Sequence, residues 1–172
     1  MALNSKNKKL EKLLSLWNSE KKSVKHRAGF NLITLDVCPT STLLEILEYS
    51  LIDRMNTQPE IGAYQISRIL KEKKDPIMFD LMMEYCKRKD QVYREIGAEL
   101  LGILRDNRAI ETLVSLLEDE WPLVRRAAIC SLGELKEHPG VIEKLRSHYE
   151  LRKEEINVTL ALERILGPIL LS

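Results

Sequence analysis

Between residues 106 and 135 the apolar positions recur every three or four residues, as they do along one face of a helix. The first such stripe consists of Ala109, Leu113, Leu116 and Leu117, and the second consists of Val124, Ala128, Leu132 and Leu135. Asn107 is the candidate N-cap of the first helix, and Pro122 suits the first turn of the second, where its missing N–H costs nothing. The stretch predicts a hairpin of two helices that is too thin to bury both of its faces alone.

Weaker copies of this hairpin recur along the chain. A shift of 31 residues places Leu101 over Leu132 and Gly102 over Gly133, and a further shift of 35 places Ile61 over Ile96. No segment alternates with period two, so we expect no sheet. The pattern predicts a single all-α domain over residues 1–172. Its five hairpins are expected at residues 6–37, 41–74, 75–105, 106–137 and 138–172.

The string RAIETLVSLLEDEWPLVRRAAICSLGEL resembles a HEAT-like repeat of the subclass first noted in phycobilisome lyases. The resemblance is specific over 106–137, fair over 75–105 and degenerate in the other three units. It implies a right-handed α-solenoid of about five hairpins. In that family an Asp that ends the loop and an Arg six residues later form a ladder between neighbouring repeats. Asp119 and Arg125 match this pair, the third repeat keeps the basic member Arg94, and the resemblance implies a structural role for all three.

The composition is that of a soluble protein built on close helix packing. Aromatic residues make up 5% of the 172 residues, and the net charge is +1, which gives little long-range attraction for nucleic acid. The three cysteines, Cys38, Cys86 and Cys130, form no CxxC pair, and we interpret them as reduced thiols of a cytoplasmic protein. No apolar run approaches the roughly 20 residues of a membrane span, and the N-terminal segment does not resemble a signal peptide.

Charge is unevenly distributed between the two halves of the chain. Residues 1–89 hold 16 Lys and Arg against 11 Asp and Glu, whereas residues 90–172 hold 11 against 15. The N-terminal excess comes mostly from Lys6, Lys8, Lys9, Lys12, Lys21, Lys22, Lys25 and Arg27. These cations are either solvated helix ends, which complement helix dipoles, or a basic edge that binds phosphate groups. Nucleic acid is therefore an alternative partner.

No catalytic, metal-binding or cofactor-binding motif is present in the sequence. GxxxxGK[ST], GxGxxG, GxSxG and HExxH are missing. HEAT-like di-iron hydroxylases use His-Glu dipeptides, and none of His26, His138 and His148 is followed by Glu. We therefore predict a protein that is not an enzyme and needs neither a cofactor nor a metal. A bilin-lyase-like or other catalytic accessory role stays an alternative, because a shared repeat determines fold rather than chemistry.

A partner-binding face is expected on the second helices, which line the concave face in proteins of the HEAT family. Beside the predicted core column, the repeat register gives a solvent-facing column of His26, Phe30, Glu60, Tyr64, Arg68, Glu95, Glu99, Arg126, Cys130 and Glu134. Phe30 and Tyr64 would be apolar anchors, because aromatic rings bury a large area at little entropic cost. If the register is off by one, both rings belong to the core. Trp121 lies in a tight turn and either packs against the adjacent turn or projects as a rim anchor.

These patterns favour a non-enzymatic module that binds a helix or an extended segment of a protein partner. They do not identify that partner. Gly167 and Pro168 break the last helix, and the apolar residues 169–171 follow. This tail either folds back over the last repeat or docks on a second subunit. The sequence therefore predicts a monomer or a homodimer through the C-terminal repeat, without membrane association.

Overall fold

The computed structural model describes residues 2–53, 63–152, 165 and 167, and all regular structure in these residues is helical. The first four helices are α1 (Ala2–Trp17), α2 (Lys22–Ile33), α3 (Thr40–Asp53) and α4 (Ala63–Lys73). The remaining five are α5 (Met78–Tyr85), α6 (Gln91–Leu104), α7 (Ile110–Ser115), α8 (Pro122–Glu134) and α9 (Val141–Arg152). Short 3-10 turns, Asn107–Ala109 and Leu116–Glu118, flank α7. The predicted all-helical fold is confirmed.

One of the two predicted helix starts differs in the structure. The sequence predicts Asn107 as an N-cap, but Asp106 caps the 3-10 turn before α7, and its carboxylate accepts a hydrogen bond from the Arg108 main-chain N–H at 2.9 Å. A carboxylate also complements the positive end of the helix dipole, which an amide does less well. Pro122 occupies the first residue of α8, as predicted.

The chain divides into two compact units, Met1–Asp75 (unit 1) and Pro76–Ser172 (unit 2). The division falls between the predicted second and third repeats. In unit 1, α1 packs on α2, α3 packs on α4, and α2 contacts α3. In unit 2, α5 packs on α6, α7 packs on α8, and α8 contacts both α6 and α9. Helices adjacent in the chain thus form hairpins, which is the arrangement of helical-repeat proteins.

The most extensive helix contact in the described residues joins α6 to α8. The predicted core column is confirmed here, because Val124, Ala128 and Leu132 are fully buried. The Ser131 hydroxyl donates a hydrogen bond to the Ala98 carbonyl at 2.8 Å. Opposite it, a Cβ built on Gly102 would lie only 2.6 Å from the Ser131 Cα. The close approach of α6 and α8 therefore requires the missing side chain of Gly102.

In two predicted hairpins, the second helix is followed by a residue with the same unusual backbone conformation. Lys74 follows α4 with a φ of +48°, and Arg105 follows α6 with a φ of +53°. The two helices belong to successive predicted repeats. Positive φ at a helix C-terminus usually belongs to glycine, since a Cβ crowds the neighbouring carbonyl there. Both lysine and arginine therefore hold a strained conformation at the end of their helix.

Replacing Lys74 with glycine is expected to raise the free energy of unfolding by about 0.5–1 kcal/mol, because glycine adopts a positive φ without the cost of a Cβ. Urea denaturation followed by circular dichroism measures the change. Lys73→Gly is the matched control, because Lys73 is the last helical residue of α4 and glycine weakens a helix. If both substitutions destabilise the protein equally, the strain at Lys74 is not significant.

Candidate functional site

A cleft of about 330 Å³ opens in unit 1 between the C-terminal ends of α2 and α4. We call it the α2–α4 cleft. It is lined by Ile33, Thr34, Leu35, Asp36, Ile69, Glu72 and Lys73. Three of these side chains are aliphatic and four are polar or charged. Binding sites in proteins commonly combine apolar walls with a few polar groups in this way.

Two exposed side chains lie about one helical turn before residues that line this cleft. Phe30 is 45% exposed and lies three and four residues before Ile33 and Thr34, so it shares their face of α2. Arg68 is exposed on α4, one turn before Glu72. Two of the side chains predicted to bind a partner are thus exposed on the helices that border the cleft, one on each.

The surroundings of the cleft carry charges of both signs with a positive excess. The Lys6 ammonium donates a 2.9 Å hydrogen bond to Asp36. This bond and the charge of Lys6 lower the pKa of the Asp36 carboxyl, and Lys73 lowers it further. Residues 68–75 hold four cations and two anions. Because Lys6 offsets the charge of Asp36, a net positive charge remains around the cleft.

His26 packs within unit 1 instead of projecting from it. Its half-buried ring lies edge-on against Tyr49, with the ring centroids 5.3 Å apart. The Lys25 ammonium sits 4.7 Å from the ring centroid of Trp17 and 5.2 Å from that of Tyr49. Trp17 is 3% exposed, as expected for a core residue. These contacts are aromatic and cation–π interactions that join α2 to α1 and α3.

The turn before α8 presents Trp121, which is 45% exposed. The main-chain N–H of Trp121 donates a hydrogen bond to the Asp119 carboxylate at 3.0 Å, so the side chain of Asp119 fixes the backbone of the turn. Leu123, two residues further on, is also exposed. Of the two predicted alternatives for Trp121, projection from the turn is the one that matches this exposure.

A buried ion pair holds that turn in place. The Arg94 guanidinium donates two hydrogen bonds to the Asp119 carboxylate, at 2.6 and 2.9 Å, and both side chains are at least nine-tenths buried. Burial by itself raises the pKa of Asp119, but the hydrogen bonds from Arg94 and the Trp121 N–H and the charges of Arg94 and Arg125 hold it below its ordinary value. Asp119 is therefore ionised at neutral pH and links the third predicted repeat to the fourth.

The contact of Arg125 lies within the fourth predicted repeat, whereas Arg94 and Asp119 form the contact between neighbouring repeats that the ladder motif implied. The Arg125 guanidinium donates to the Asp119 main-chain carbonyl at 2.6 Å, whereas the Asp119 carboxylate bonds to Arg94. Arg94 also donates to the carbonyls of Arg88 and Lys89, at 2.8 and 2.6 Å. Within unit 2 this network joins the loop between α5 and α6 to the turn before α8.

The family model for HEAT repeats matches residues 50–129 and 79–163, which together cover well over half of the chain. The chain belongs to the HEAT-repeat family. HEAT repeats generally mediate protein–protein interaction, and the family is typically a non-catalytic scaffold. A comparison with curated proteins found no match. Among the helices of the described ranges, none is long and apolar enough to cross a membrane.

In the HEAT hairpins of unit 2, the residues predicted to bind a partner differ in their exposure. Arg126, Cys130 and Glu134 lie exposed along α8, and Glu134 pairs with Arg105. The prediction of an exposed Glu95 is wrong, since this side chain is 5% exposed. Because α6 packs against both α5 and α8, its residues 93–98 are all buried. Glu99 is half-buried on the same helix.

Some predicted features of this HEAT protein lie outside the described residues. These are Glu60, the side chain of Tyr64, residues 153–164 and the apolar residues 169–171. The predicted homodimer contact through the last repeat falls there too.

Sequence reasoning missed the residues that form the α2–α4 cleft. Ile69 is an apolar residue at a periodic position, which is typical of the core. Leu35 and Asp36 lie in the loop that follows α2. No periodic pattern relates a loop to a helix end that lies more than thirty residues away. The one signal was Phe30, whose exposure the repeat register predicted.

Burial determines the chemistry of two of the three thiols. It raises the pKa of Cys38 to about 11 and that of Cys86 to about 12, so both are protonated at neutral pH. Since a thiolate is the reactive form of cysteine, neither is activated as a nucleophile. Cys130 is exposed on α8. The described residues contain no cluster of three or more side chains that could hold a metal ion.

Proposed function

We propose that this protein binds a segment of a partner protein along the α2–α4 cleft, with Phe30 as the apolar anchor. The observation that carries the proposal is an aromatic ring, 45% exposed, one helical turn before the α2 residues that line a cleft of about 330 Å³. Burying the exposed part of that ring on binding is favourable at roughly 25 cal/mol per Å² of apolar surface. Large aromatic side chains are also the commonest anchors of protein interfaces.

The polar groups around the cleft would orient the bound segment. Thr34 lies on the α2 side, and Arg68 and Glu72 lie one turn apart on the α4 side. A helix or an extended segment that presents one apolar side chain to the cleft and polar side chains to these groups fits both requirements. On α8, Arg126, Cys130 and Glu134 offer a further exposed face for contacts with a partner.

Phe30→Ala is expected to weaken binding of a partner by about tenfold or more, because it removes the apolar anchor of the contact. The full-length protein is immobilised, partners are captured from host extract and quantified, and affinity for each captured protein is measured by calorimetry. Ile52→Ala is the matched control, since Ile52 is 65% exposed on α3 and does not line the cleft. Equal capture by the parent protein and Phe30→Ala, or equal loss with both variants, would contradict the proposal.

Exposed lysines on α1 support a second candidate, nucleic acid. Lys8, Lys9 and Lys12 are all exposed within two turns of this helix. Phosphate contacts make affinity fall steeply with salt. If nucleic acid is the partner, retention on immobilised DNA will fall as salt rises and will be lost when the three lysines are replaced by glutamine. Phe30→Ala will then leave retention unchanged, which separates this candidate from the first.

A further inference from the structure

The two units carry opposite charge. Unit 1 holds 13 Lys and Arg against 9 Asp and Glu, a net charge of +4, whereas unit 2 holds 14 against 17, a net charge of −3. Each unit also has an apolar feature at its surface. In unit 1 this is the α2–α4 cleft, and in unit 2 it is residues 120–123, which we call the Trp121 turn.

We propose that the α2–α4 cleft of one copy of this chain binds the Trp121 turn of a second copy. The inference rests on the cleft named in the proposed function and identifies one occupant for it. An indole ring combines a large apolar surface with one N–H donor. The cleft offers the aliphatic side chains of Ile33, Leu35 and Ile69 to the ring and two carboxylates, Asp36 and Glu72, to the N–H.

Local charge favours the same pairing. Glu118 and Glu120 are exposed on either side of Asp119, just before Trp121. Glu118 also contacts the His148 ring at 3.2 Å, and Glu120 lies 3.5 Å from the Arg94 guanidinium. The surroundings of the cleft have a net positive charge, and Lys73 lines it. An acidic turn of a negatively charged unit would therefore meet a cleft of mixed lining in a positively charged unit, which favours encounter and orientation.

The Trp121 turn is already fixed in the conformation in which it would bind. The Asp119 carboxylate accepts a hydrogen bond from the main-chain N–H of Trp121 and is itself held by Arg94. Pro122 follows with a restricted φ. A segment that is ordered before binding loses little conformational entropy when it docks. This separates Trp121 from an exposed aromatic residue on an unrestrained loop.

The pairing joins two different surfaces, so each bound copy keeps one vacant cleft or one vacant turn. Such heterologous contacts continue beyond a dimer, into rings or chains. The contact is also small, because it consists of one turn in one cleft. Contacts well below the standard interface size bind weakly, so association should become visible only at high protein concentration.

Sedimentation equilibrium of the full chain, from about 10 µM to about 1 mM, tests for weak association of this kind. The weight-average mass should rise with concentration and pass the dimer value, and added salt should reduce it. A protein that stays monomeric over the whole range would overturn the inference.

A mixing experiment tests which surfaces meet. Trp121→Ala keeps the cleft but removes the indole, whereas Thr34→Tyr keeps the indole and places a large side chain at the cleft. Each variant alone should be monomeric, and an equal mixture should form one-to-one complexes and nothing larger. Leu16→Ala, a change at another exposed apolar residue, should associate like the parent. Circular dichroism confirms that each variant is folded.

Two results of the mixing experiment would contradict the pairing. One is a mixture that stays monomeric, and the other is a single variant that associates as strongly as the parent. The proposed function fails separately, through equal capture of partners by the parent and Phe30→Ala. Loss of capture without self-association would leave the proposed function standing and remove only the second copy as occupant.

Discussion

Arg94→Met is expected to lower the free energy of unfolding by about 3 kcal/mol, because it leaves the buried Asp119 carboxylate without its cation. The same change removes the donor that satisfies the carbonyls of Arg88 and Lys89. Methionine retains most of the volume of the arginine stem, so the loss reports on charge and hydrogen bonding more than on packing. Urea denaturation followed by circular dichroism provides the measurement.

The matched control is Arg105→Met. Arg105 also pairs with a carboxylate, Glu134, about thirty residues away, but both side chains are about half exposed or more. Exposed ion pairs contribute about 1 kcal/mol or less, so this variant should lose correspondingly little. Similar losses for the two variants would show that burial of the Arg94–Asp119 pair adds nothing to its effect.

The same pair predicts a pH dependence. The folded protein holds the pKa of Asp119 below its ordinary value of 3.8. The unfolded chain therefore binds the proton more readily, and acid favours unfolding. The stabilisation is fully present above the unfolded pKa and is lost as the pH falls through the folded pKa. The difference in unfolding free energy between the parent protein and Asp119→Asn should be constant above about pH 5 and shrink below pH 4. A difference that persists unchanged into strong acid would contradict this assignment.

Gly102→Ala is expected to destabilise the protein by about 2 kcal/mol, because a new Cβ must push α6 and α8 apart. The built Cβ would lie 2.6 Å from a main-chain atom of Ser131, which cannot turn away as a flexible side chain can. The displacement would also stretch the buried hydrogen bond from Ser131 to the Ala98 carbonyl. Thermal and urea denaturation measure the effect.

Helix propensity alone predicts that Gly102→Ala raises the free energy of unfolding. Alanine is favoured over glycine inside a helix by about 1 kcal/mol, so a variant limited by propensity would be more stable than the parent. Ser131→Ala serves as the control, since it removes the hydrogen bond but leaves the helix spacing unchanged, at a cost of about 1 kcal/mol. Stabilisation by Gly102→Ala would show that the two helices can separate without loss.

The hairpins and their core column could be predicted from the sequence because both depend on local periodicity. Ala128 and Leu132 repeat at the spacing of one helix face, and burial follows once a second helix covers that face. Gly102 and Gly133 occupy equivalent positions of successive repeats, which the shift of 31 residues shows from the sequence alone.

The α2–α4 cleft and the burial of Glu95 could not be predicted, because they depend on which helices surround a residue. The repeat pattern assigns Glu95 to a solvent-facing position, but α5 and α8 pack against α6 and bury residues 93–98. The Arg94–Asp119 ion pair, by contrast, joins neighbouring repeats as the ladder of the resemblance implied.

The contrast between Trp17 and Trp121 has a spectroscopic consequence. These are the two tryptophans of the chain, and each compact unit contains one of them. The buried indole of Trp17 is shielded from water and from dissolved quenchers, whereas the indole of Trp121 is open to both. Their fluorescence therefore differs in wavelength and in quenching by iodide. Each unit carries its own optical reporter, so the unfolding of one can be followed separately from that of the other without an attached dye.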